Sequence, residues 1–188
     1  MIHHVLSCMK KMMLKTLTRF RLGGPARVIV ADNAKTIRHT IQKCVKSHIP
    51  FFILGGGTNI IGHDNGYRGF IIQVATHSLR IYKNAIHVDA GVSLQKLINT
   101  ANSHGFSGLE TLAGIPGTVG GAVYGNAGAY GKEIAQALRS VTIFDGKHGR
   151  TLSKQECRFS YRESIFKKKK FVILKIAFVF RKGDPKTL

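Results

Sequence analysis

The strongest constraint on the fold of this chain is a glycine-rich stretch from residue 113 to residue 131, which reads AGIPGTVGGAVYGNAGAYG. It holds seven glycines in nineteen residues and carries no charged side chain. A solvent-exposed linker of that glycine content would normally also contain serine, lysine or glutamate. Glycine lets the backbone approach another group closely. The stretch therefore predicts either a tightly packed core loop or a binding loop for a large, flat, partly apolar ligand that carries phosphates.

A second glycine-rich loop, GGGTN at residues 55–59, follows the apolar segment Phe51–Leu54. Consecutive residues without side chains can point their N–H groups into one concavity, which suits a pyrophosphate. The alternative is an ordinary flexible turn, because glycine is common in turns. The loop matches neither a Walker A motif, since no Gly-Lys-Ser/Thr follows, nor a Rossmann fingerprint, since IIGHDNG does not predict a helix. Two such loops in one small chain favour a dinucleotide such as FAD as the ligand.

The pattern of apolar residues predicts an α+β protein without a regular β-α-β alternation. Apolar residues at helical spacing, among them Ile37, Ile41 and Val45, predict an amphipathic helix over residues 34–48. Ser93 is the expected N-cap of a second helix over residues 93–104. Short apolar runs predict seven strands: Arg27–Ala31, Phe51–Leu54, Phe70–Val74, Leu79–Tyr82, Ala85–Asp89, Val141–Asp145 and Phe171–Phe180. From Val141 onward the chain is expected to be all β.

The chain is strongly basic. Its 29 lysines and arginines outweigh nine acidic residues, which gives a formal charge of +20 in 188 residues. Such an excess favours an anionic partner: nucleic acid, an anionic membrane or a phosphorylated small molecule. The densest cluster, Lys167–Lys170, is either a phosphate-binding patch or a solvated turn between two strands. A nucleic-acid-binding module without catalysis is the alternative function, but the sequence shows neither the interleaving of aromatic with basic residues that is usual in such modules nor a recognisable helix or ribbon motif.

Cysteine usage and hydropathy exclude several classes of protein. The three cysteines, Cys8, Cys44 and Cys157, are far apart, which argues against a disulfide framework and against a paired zinc site. The longest apolar run, Phe171–Phe180, is too short to span a bilayer. No basic leader precedes an apolar stretch at the N-terminus, so a signal peptide is not expected. These observations predict a globular protein of a reducing compartment without a membrane span.

Four motifs carry a resemblance to a known family. They read FRLGGPARVIV, GGGTN, LETLAGIPGTVGGAVYGNAGAYG and FSYRESIFK, in that order, between residue 16 and about residue 185. Together they resemble the UDP-N-acetylenolpyruvoylglucosamine reductases (UDP-N-acetylmuramate dehydrogenases), which are flavoenzymes of peptidoglycan synthesis. The resemblance implies a vanillyl-alcohol-oxidase-like FAD-binding fold of two α+β lobes. We expect an N-terminal tail over residues 1–15, the first lobe over 16–78 and the second over 79–188.

The resemblance also implies a set of site residues and two cofactors, FAD and NADPH. The expected cofactor-binding residues lie in the two glycine-rich loops: Gly55, Gly56, Gly57, Thr58 and Asn59 at the pyrophosphate, and Gly114, Ile115, Pro116, Gly117, Thr118, Gly120 and Gly121 along the flavin and its ribityl phosphate. Tyr161 and Arg162 match the family's substrate-binding pair, and no metal site is implied.

In the family, NADPH reduces FAD, and the flavin passes hydride to the enolpyruvyl ether of UDP-N-acetylglucosamine to give UDP-N-acetylmuramate. Hydride addition pushes charge onto the substrate carboxylate, which a fixed guanidinium can hold in a bidentate contact. Arg162 is therefore the expected catalytic residue. The family setting implies a bacterial cytoplasm.

One departure from the family bears on the mechanism. The family has a further C-terminal substrate domain, which supplies a serine that protonates the intermediate and a glutamate that assists it. That domain is expected to be absent from this chain, and no residue matches either group. Ser164 is not expected to be the donor. We therefore expect the FAD-binding part of the enzyme, with a surface on which the absent domain would dock.

Overall fold

The structure, a computed structural model, describes residues 9–183. The chain divides into two units between Thr76 and His77. The predicted boundary between the lobes lies two residues later, between 78 and 79. Both units combine helices with sheets, and no helix in the described range is long and apolar enough to cross a membrane.

From residue 9 onward, the first unit contains a four-stranded sheet and one α-helix. Its elements are β1 (Met9–Met13), β2 (Pro25–Ala31), α1 (Ala34–Lys46), β3 (Phe51–Leu54) and β4 (Tyr67–Val74). The strand order is β1-β2-β4-β3. Strand β4 is parallel to both of its neighbours, whereas β1 runs antiparallel to β2.

Helix α1 begins where the sequence predicts. The side chain of Asn33 accepts a hydrogen bond from the Thr36 amide at 2.8 Å and so caps the helix. Ile37 and Ile41 are buried, whereas Val45, which shares their helical spacing, is 51% exposed. The helix ends at Lys46, before His48 adopts a φ of +52°, a conformation that no helix continues.

The prediction of an N-terminal tail over residues 1–15 is wrong for Met9–Met13, which form β1. The sequence MKKMM lacks the alternation of a half-buried strand. The strand forms because β2 offers an edge, on which Met9 pairs with Ile29 and Met12 pairs with Ala26. The rest of the predicted tail covers residues 1–8, outside the described residues, and 14–15, which lie in a 3-10 turn at Leu14–Thr16.

The second unit is built on a five-stranded antiparallel sheet. The strands of the unit, in chain order, are β5 (Leu79–Tyr82), β6 (Ala85–Asp89), β7 (Phe106–Ser107), β8 (Gly128–Ala129), β9 (Lys132–Glu133), β10 (Leu138–Phe144), β11 (Gly149–Ser153), β12 (Val172–Val179) and β13 (Arg181–Lys182). The main sheet has the order β11-β10-β12-β6-β5, and β13-β7 and β8-β9 form two small pairs. The helices are α2 (Leu94–Ser103), α3 (Val119–Tyr124) and α4 (Ile165–Lys168).

Helix α2 confirms its predicted cap, because Ser93 Oγ accepts a hydrogen bond from the Lys96 amide at 3.2 Å. Its apolar side chains, from Leu94 to Ala101, are fully buried. Each such leucine or isoleucine contributes about 1.5–3 kcal/mol through the removal of apolar surface from water. The helix is therefore held by both a local cap and tertiary packing.

The expectation of an all-β chain after Val141 is wrong at α4. This single helical turn forms because the side chain of Phe166 is 2% exposed and anchors it in the core. Lys167 and Lys168 lie in that turn, and all four residues of Lys167–Lys170 are exposed. One of the two expectations for the lysine run was a solvated turn between two strands. The run is instead partly helical.

Candidate functional site

The loop at residues 55–59 leaves the carboxyl end of β3 and lies in the first unit. Gly56 and Asn59 are exposed, and their main-chain amides donate to no other residue of the described chain. The segment after the loop, residues 60–63, is not helical, as predicted. Unused amides that follow the end of a strand can donate to a bound anion, so the loop's geometry fits a phosphate-bearing ligand.

Gly57 shows why this loop requires glycine. Its φ is +64°, and a Cβ built on it would lie 1.9 Å from the carbonyl oxygen of Leu17. Its own carbonyl accepts a hydrogen bond from the Arg19 amide at 2.9 Å. Gly57 is buried. It therefore anchors the loop to residues 17–19, and the neighbouring Gly56 is left on the surface.

The stretch 113–131 lies in the second unit and is not one continuous loop, because residues 119–124 form α3. Gly114 and Gly117 precede this helix with φ of +82° and +124°. The Gly114 amide donates to Gln95 Oε1 at 2.9 Å, and the Gly117 carbonyl accepts from the Leu94 amide at 2.9 Å. These bonds fix the loop against the start of α2 and leave Pro116 at the surface.

Two further predicted cofactor residues in this stretch have structural contacts. Thr118 Oγ1 accepts a hydrogen bond from the Gly121 amide at 3.3 Å and so caps α3. The Gly120 amide donates to the Ala90 carbonyl at 2.8 Å, and a Cβ on Gly120 would lie 2.8 Å from the Ala90 Cβ. Gly120 thus packs in the core, as the packed-loop interpretation predicts, whereas Gly121 is exposed.

Tyr161 and Arg162 form the tip of a tight turn in the second unit. Ser160 and Glu163 close the turn with reciprocal main-chain hydrogen bonds of 2.9 and 3.2 Å. The Tyr161 ring is 81% exposed, and the Arg162 guanidinium carbon lies 5.6 Å from the ring's centroid. Arg162 has a φ of +54°. The turn thus presents an aromatic ring and a fixed positive charge side by side.

The turn is attached to the end of the glycine-rich stretch. Arg162 Nη2 donates to the Gly128 carbonyl at 2.6 Å. Ser164 is 1% exposed, and its hydroxyl donates to the carbonyl of Tyr124, the last residue of α3, at 2.6 Å. The structure therefore brings residues 118–128 and 160–164 together. Within the second unit this joins the predicted substrate pair to one of the two predicted cofactor loops.

Sequence reasoning missed Asn126. This residue is fully buried, and its Nδ2 donates to Glu133 Oε2 at 2.8 Å and to the Ser160 carbonyl at 2.9 Å. Asn126 carries the single amide side chain in the nineteen-residue uncharged stretch, and that was the available signal. Such a side chain among glycines indicates a hydrogen-bonding task, because it cannot contribute to an apolar core.

The Cys157 thiol of the second unit is unsuited to the site. Burial raises the pKa of the Cys157 thiol to about 12, with a smaller contribution from the Glu156 carboxylate. Such a thiol stays protonated at neutral pH and is neither a nucleophile nor a metal ligand. Between residues 9 and 183, no group of three or more histidine, cysteine or acidic side chains is placed to hold a metal ion.

Comparisons with known proteins identify the family. A family described as an FAD binding domain matches residues 25–153, a range that includes both glycine-rich loops. The UDP-N-acetylenolpyruvoylglucosamine reductase of Solibacter usitatus is 42% identical over 173 residues, which is 91% of this chain and 55% of that protein. The enzyme of the same name from Clostridium novyi is 40% identical over 177 residues, covering 92% of this chain and 57% of that protein.

A solved structure agrees with these matches. The crystal structure of UDP-N-acetylenolpyruvylglucosamine reductase from Thermus caldophilus superimposes with a TM-score of 0.83 at 29% identity, over 95% of this chain and 64% of that one. The chain thus spans about half the length of the curated relatives it matches, 55% and 57%. The predicted α+β FAD-binding fold and the predicted resemblance are confirmed. The chain belongs to the family of FAD-binding domains, and its relatives are UDP-N-acetylenolpyruvoylglucosamine reductases, whose FAD-binding part it matches.

Proposed function

We propose that this chain is the FAD-binding part of a reductase that uses NADPH to convert UDP-N-acetylglucosamine enolpyruvate to UDP-N-acetylmuramate in a bacterial cytoplasm. The observation that carries the proposal is the Tyr161–Arg162 turn. It holds an arginine at the surface, and it is bonded to a glycine-rich stretch that lies within the family match. The relatives named above supply the reaction.

The residues of both loops fit FAD. The unused amides of Gly56 and Asn59 are suited to the pyrophosphate, because main-chain N–H groups favour bound negative charge. The half-buried Ile115 and Gly117 offer an uncharged surface for the flavin and its ribityl chain. When bound, FAD supplies the hydride that reduces the substrate. The protein's part is to bind FAD and to hold it in place.

Arg162 and Tyr161 are proposed to bind the enolpyruvyl group. Hydride addition at the double bond increases the charge on the adjacent carboxylate, and a guanidinium that is already fixed stabilises that charge without reorganising. The bond from Nη2 to the Gly128 carbonyl occupies one donor of Arg162 and leaves the group's remaining donors for a carboxylate. Lysine would be a poorer substitute, because it offers a point charge in place of a planar fork.

The proton for the substrate carbon is proposed to come from outside the described site. A general acid must lie within hydrogen-bond reach of the reacting atom. Ser164 cannot serve, because its hydroxyl is 1% exposed and donates to the Tyr124 carbonyl. We propose that a domain corresponding to the unmatched length of the relatives supplies the donor and docks on this chain. The described structure and the comparisons contain no observation that favours nucleic-acid binding.

The test introduces a negative charge at the predicted pyrophosphate loop. Asn59→Asp changes an exposed amide to a carboxylate of the same shape. At about 4 Å, the added repulsion is roughly 1–4 kcal/mol, so FAD should bind about fivefold more weakly or worse. Gln42→Glu is the matched control, because it adds the same charge at an exposed position of α1. The measurement is a titration of the apoprotein with FAD, followed by flavin fluorescence.

Two results would contradict the proposal. One is a wild-type protein that is colourless as purified and takes up no added FAD. The other is an affinity for FAD that Asn59→Asp and Gln42→Glu change equally, because the effect would then reflect net charge and not the loop.

A further inference from the structure

Asn126 joins two segments that both determine where Arg162 lies. Its side-chain amide Nδ2 donates to the carbonyl of Ser160, the first residue of the Tyr161–Arg162 turn. Two residues beyond Asn126, the Gly128 carbonyl accepts the hydrogen bond from the Arg162 guanidinium. The backbone of the turn and the charged end of Arg162 are thus both bound to the segment 126–128.

The geometry of this segment depends on a third contact. Asn126 Nδ2 uses its second hydrogen on Glu133 Oε2, at 2.8 Å. Glu133 pairs with Gly128 across the small β8-β9 ladder. A Cβ on Gly128 would lie 2.6 Å from the Lys132 carbonyl, so the close pairing of β8 with β9 leaves no room for a side chain at this position. Glu133 therefore fixes the side-chain amide of Asn126. Pairing with β9 fixes the Gly128 carbonyl, which accepts the hydrogen bond from Arg162.

Asn126 does not maximise stability at this position. It is fully buried with a φ of +44°, and its Oδ1 has no hydrogen-bond partner among the described residues. A buried acceptor without a partner costs free energy, as does a non-glycine residue in the left-handed region. The asparagine supplies a neutral amide NH2 group. Its two hydrogens serve two facing acceptors, the Ser160 carbonyl and the Glu133 carboxylate.

We infer that Asn126 is the positioning residue for Arg162 and that, through the Ser160 carbonyl, it holds the guanidinium where the substrate carboxylate binds. The identity of that carboxylate rests on the proposed function, whereas the positioning does not. Asn126 affects substrate binding only by positioning Arg162, and it takes no part in hydride or proton transfer.

A charge-conserving pair of substitutions separates positioning from stability. Asn126→Asp alone places a carboxylate against Glu133 and the Ser160 carbonyl, and should lower the melting temperature. Adding Glu133→Gln supplies a new donor to the carboxylate at position 126, so the bond between positions 126 and 133 returns at unchanged net charge. The donor to the Ser160 carbonyl does not return, because the introduced aspartate offers that carbonyl only oxygen. Asn126→Ala removes both bonds and is the reference.

Two measurements on the FAD-loaded, full 188-residue protein test the inference. The first is nitrogen-15 NMR of the Arg162 guanidinium, whose signals are identified by their loss in Arg162→Lys. Wild type should show restricted rotation, whereas Asn126→Ala and the double variant should show averaged signals. The second is calorimetric titration with UDP-N-acetylglucosamine enolpyruvate, which should bind these two variants at least about tenfold more weakly. The double variant should regain most of the melting temperature that Asn126→Asp loses.

The inference is overturned if Asn126→Ala keeps the wild-type Arg162 signals, or if the double variant regains both signals and affinity. A freely rotating guanidinium in wild type would overturn it as well. If Asn126→Ala does not fold, the double variant decides. Should wild type alone fail to bind the UDP-sugar while the Arg162 signals change as expected, the positioning role stands, and the substrate is then tested by repeating the titration with the docking domain present.

Discussion

At the scale of single residues, glycine has two distinct roles in this protein. Gly57 and Gly120 are glycines because another part of the backbone or a side chain lies where a Cβ would be. Gly114 has no heavy atom within 4 Å of its virtual Cβ, and glycine there allows a φ of +82°. The sequence shows all three as members of glycine-rich loops, but the reason for each depends on its tertiary neighbours.

Replacing Gly120 with alanine tests the packing role. The new methyl group would lie 2.8 Å from the Ala90 Cβ and 3.0 Å from its carbonyl oxygen. Overpacking of this kind costs about 1–3 kcal/mol of unfolding free energy, which chemical denaturation would measure. Gly125→Ala is the control, because its nearest atom would be the Gly121 carbonyl oxygen at an ordinary 3.7 Å. Equal stability of the two variants would contradict this account.

At the scale of secondary-structure elements, local signals and tertiary packing determined different helices. Helices α1 and α2 were predicted, because Asn33 and Ser93 cap them and their apolar residues recur at helical spacing. Helix α3 was not predicted. Two of its six residues are glycine, and each costs about 1 kcal/mol relative to alanine. It forms because Thr118 caps it and because Val119 and Val123 are fully buried.

The cap of α3 is testable by itself. Thr118→Ala removes the oxygen that accepts the Gly121 amide, and should lower the unfolding free energy by about 1 kcal/mol. Thr118→Ser keeps that oxygen and should stay close to wild type. Thermal unfolding followed by circular dichroism measures both. A Thr118→Ser variant as unstable as Thr118→Ala would assign the effect to the lost methyl group and not to the cap.

At the scale of the whole molecule, the charge of +20 is the dominant property. Like charges repel more strongly in the folded chain than in the expanded unfolded chain, so the excess destabilises the native state. Ion pairs such as those of Lys167 with Glu163 and of Lys175 with Asp89 offset little of it, since they are partly exposed. Bound anions, including the pyrophosphate of FAD, should relieve the repulsion.

Salt should therefore stabilise the free protein. Raising NaCl from about 10 mM to about 150 mM shortens the screening length from about 30 Å to about 8 Å, and the melting temperature should rise by several degrees, at about 2–4 °C per kcal/mol. A triple variant with glutamine at positions 168, 169 and 170 should show a weaker dependence on salt. Lys167 is left unchanged, because its Nζ donates to the Arg162 carbonyl. A melting temperature that falls or stays constant with salt would contradict the prediction.

The sequence by itself determined much of this protein: the two glycine-rich loops, helices α1 and α2, most strands, the α+β class and the family. These depend on signals within a few residues, such as caps, periodicity and glycine runs. The tertiary structure decided the pairing of β1, the helix α3 and the bond from Asn126 to Ser160. That bond joins residues 34 positions apart. A hydrogen bond between distant residues leaves no periodic trace in a sequence, because only the tertiary fold brings its partners together.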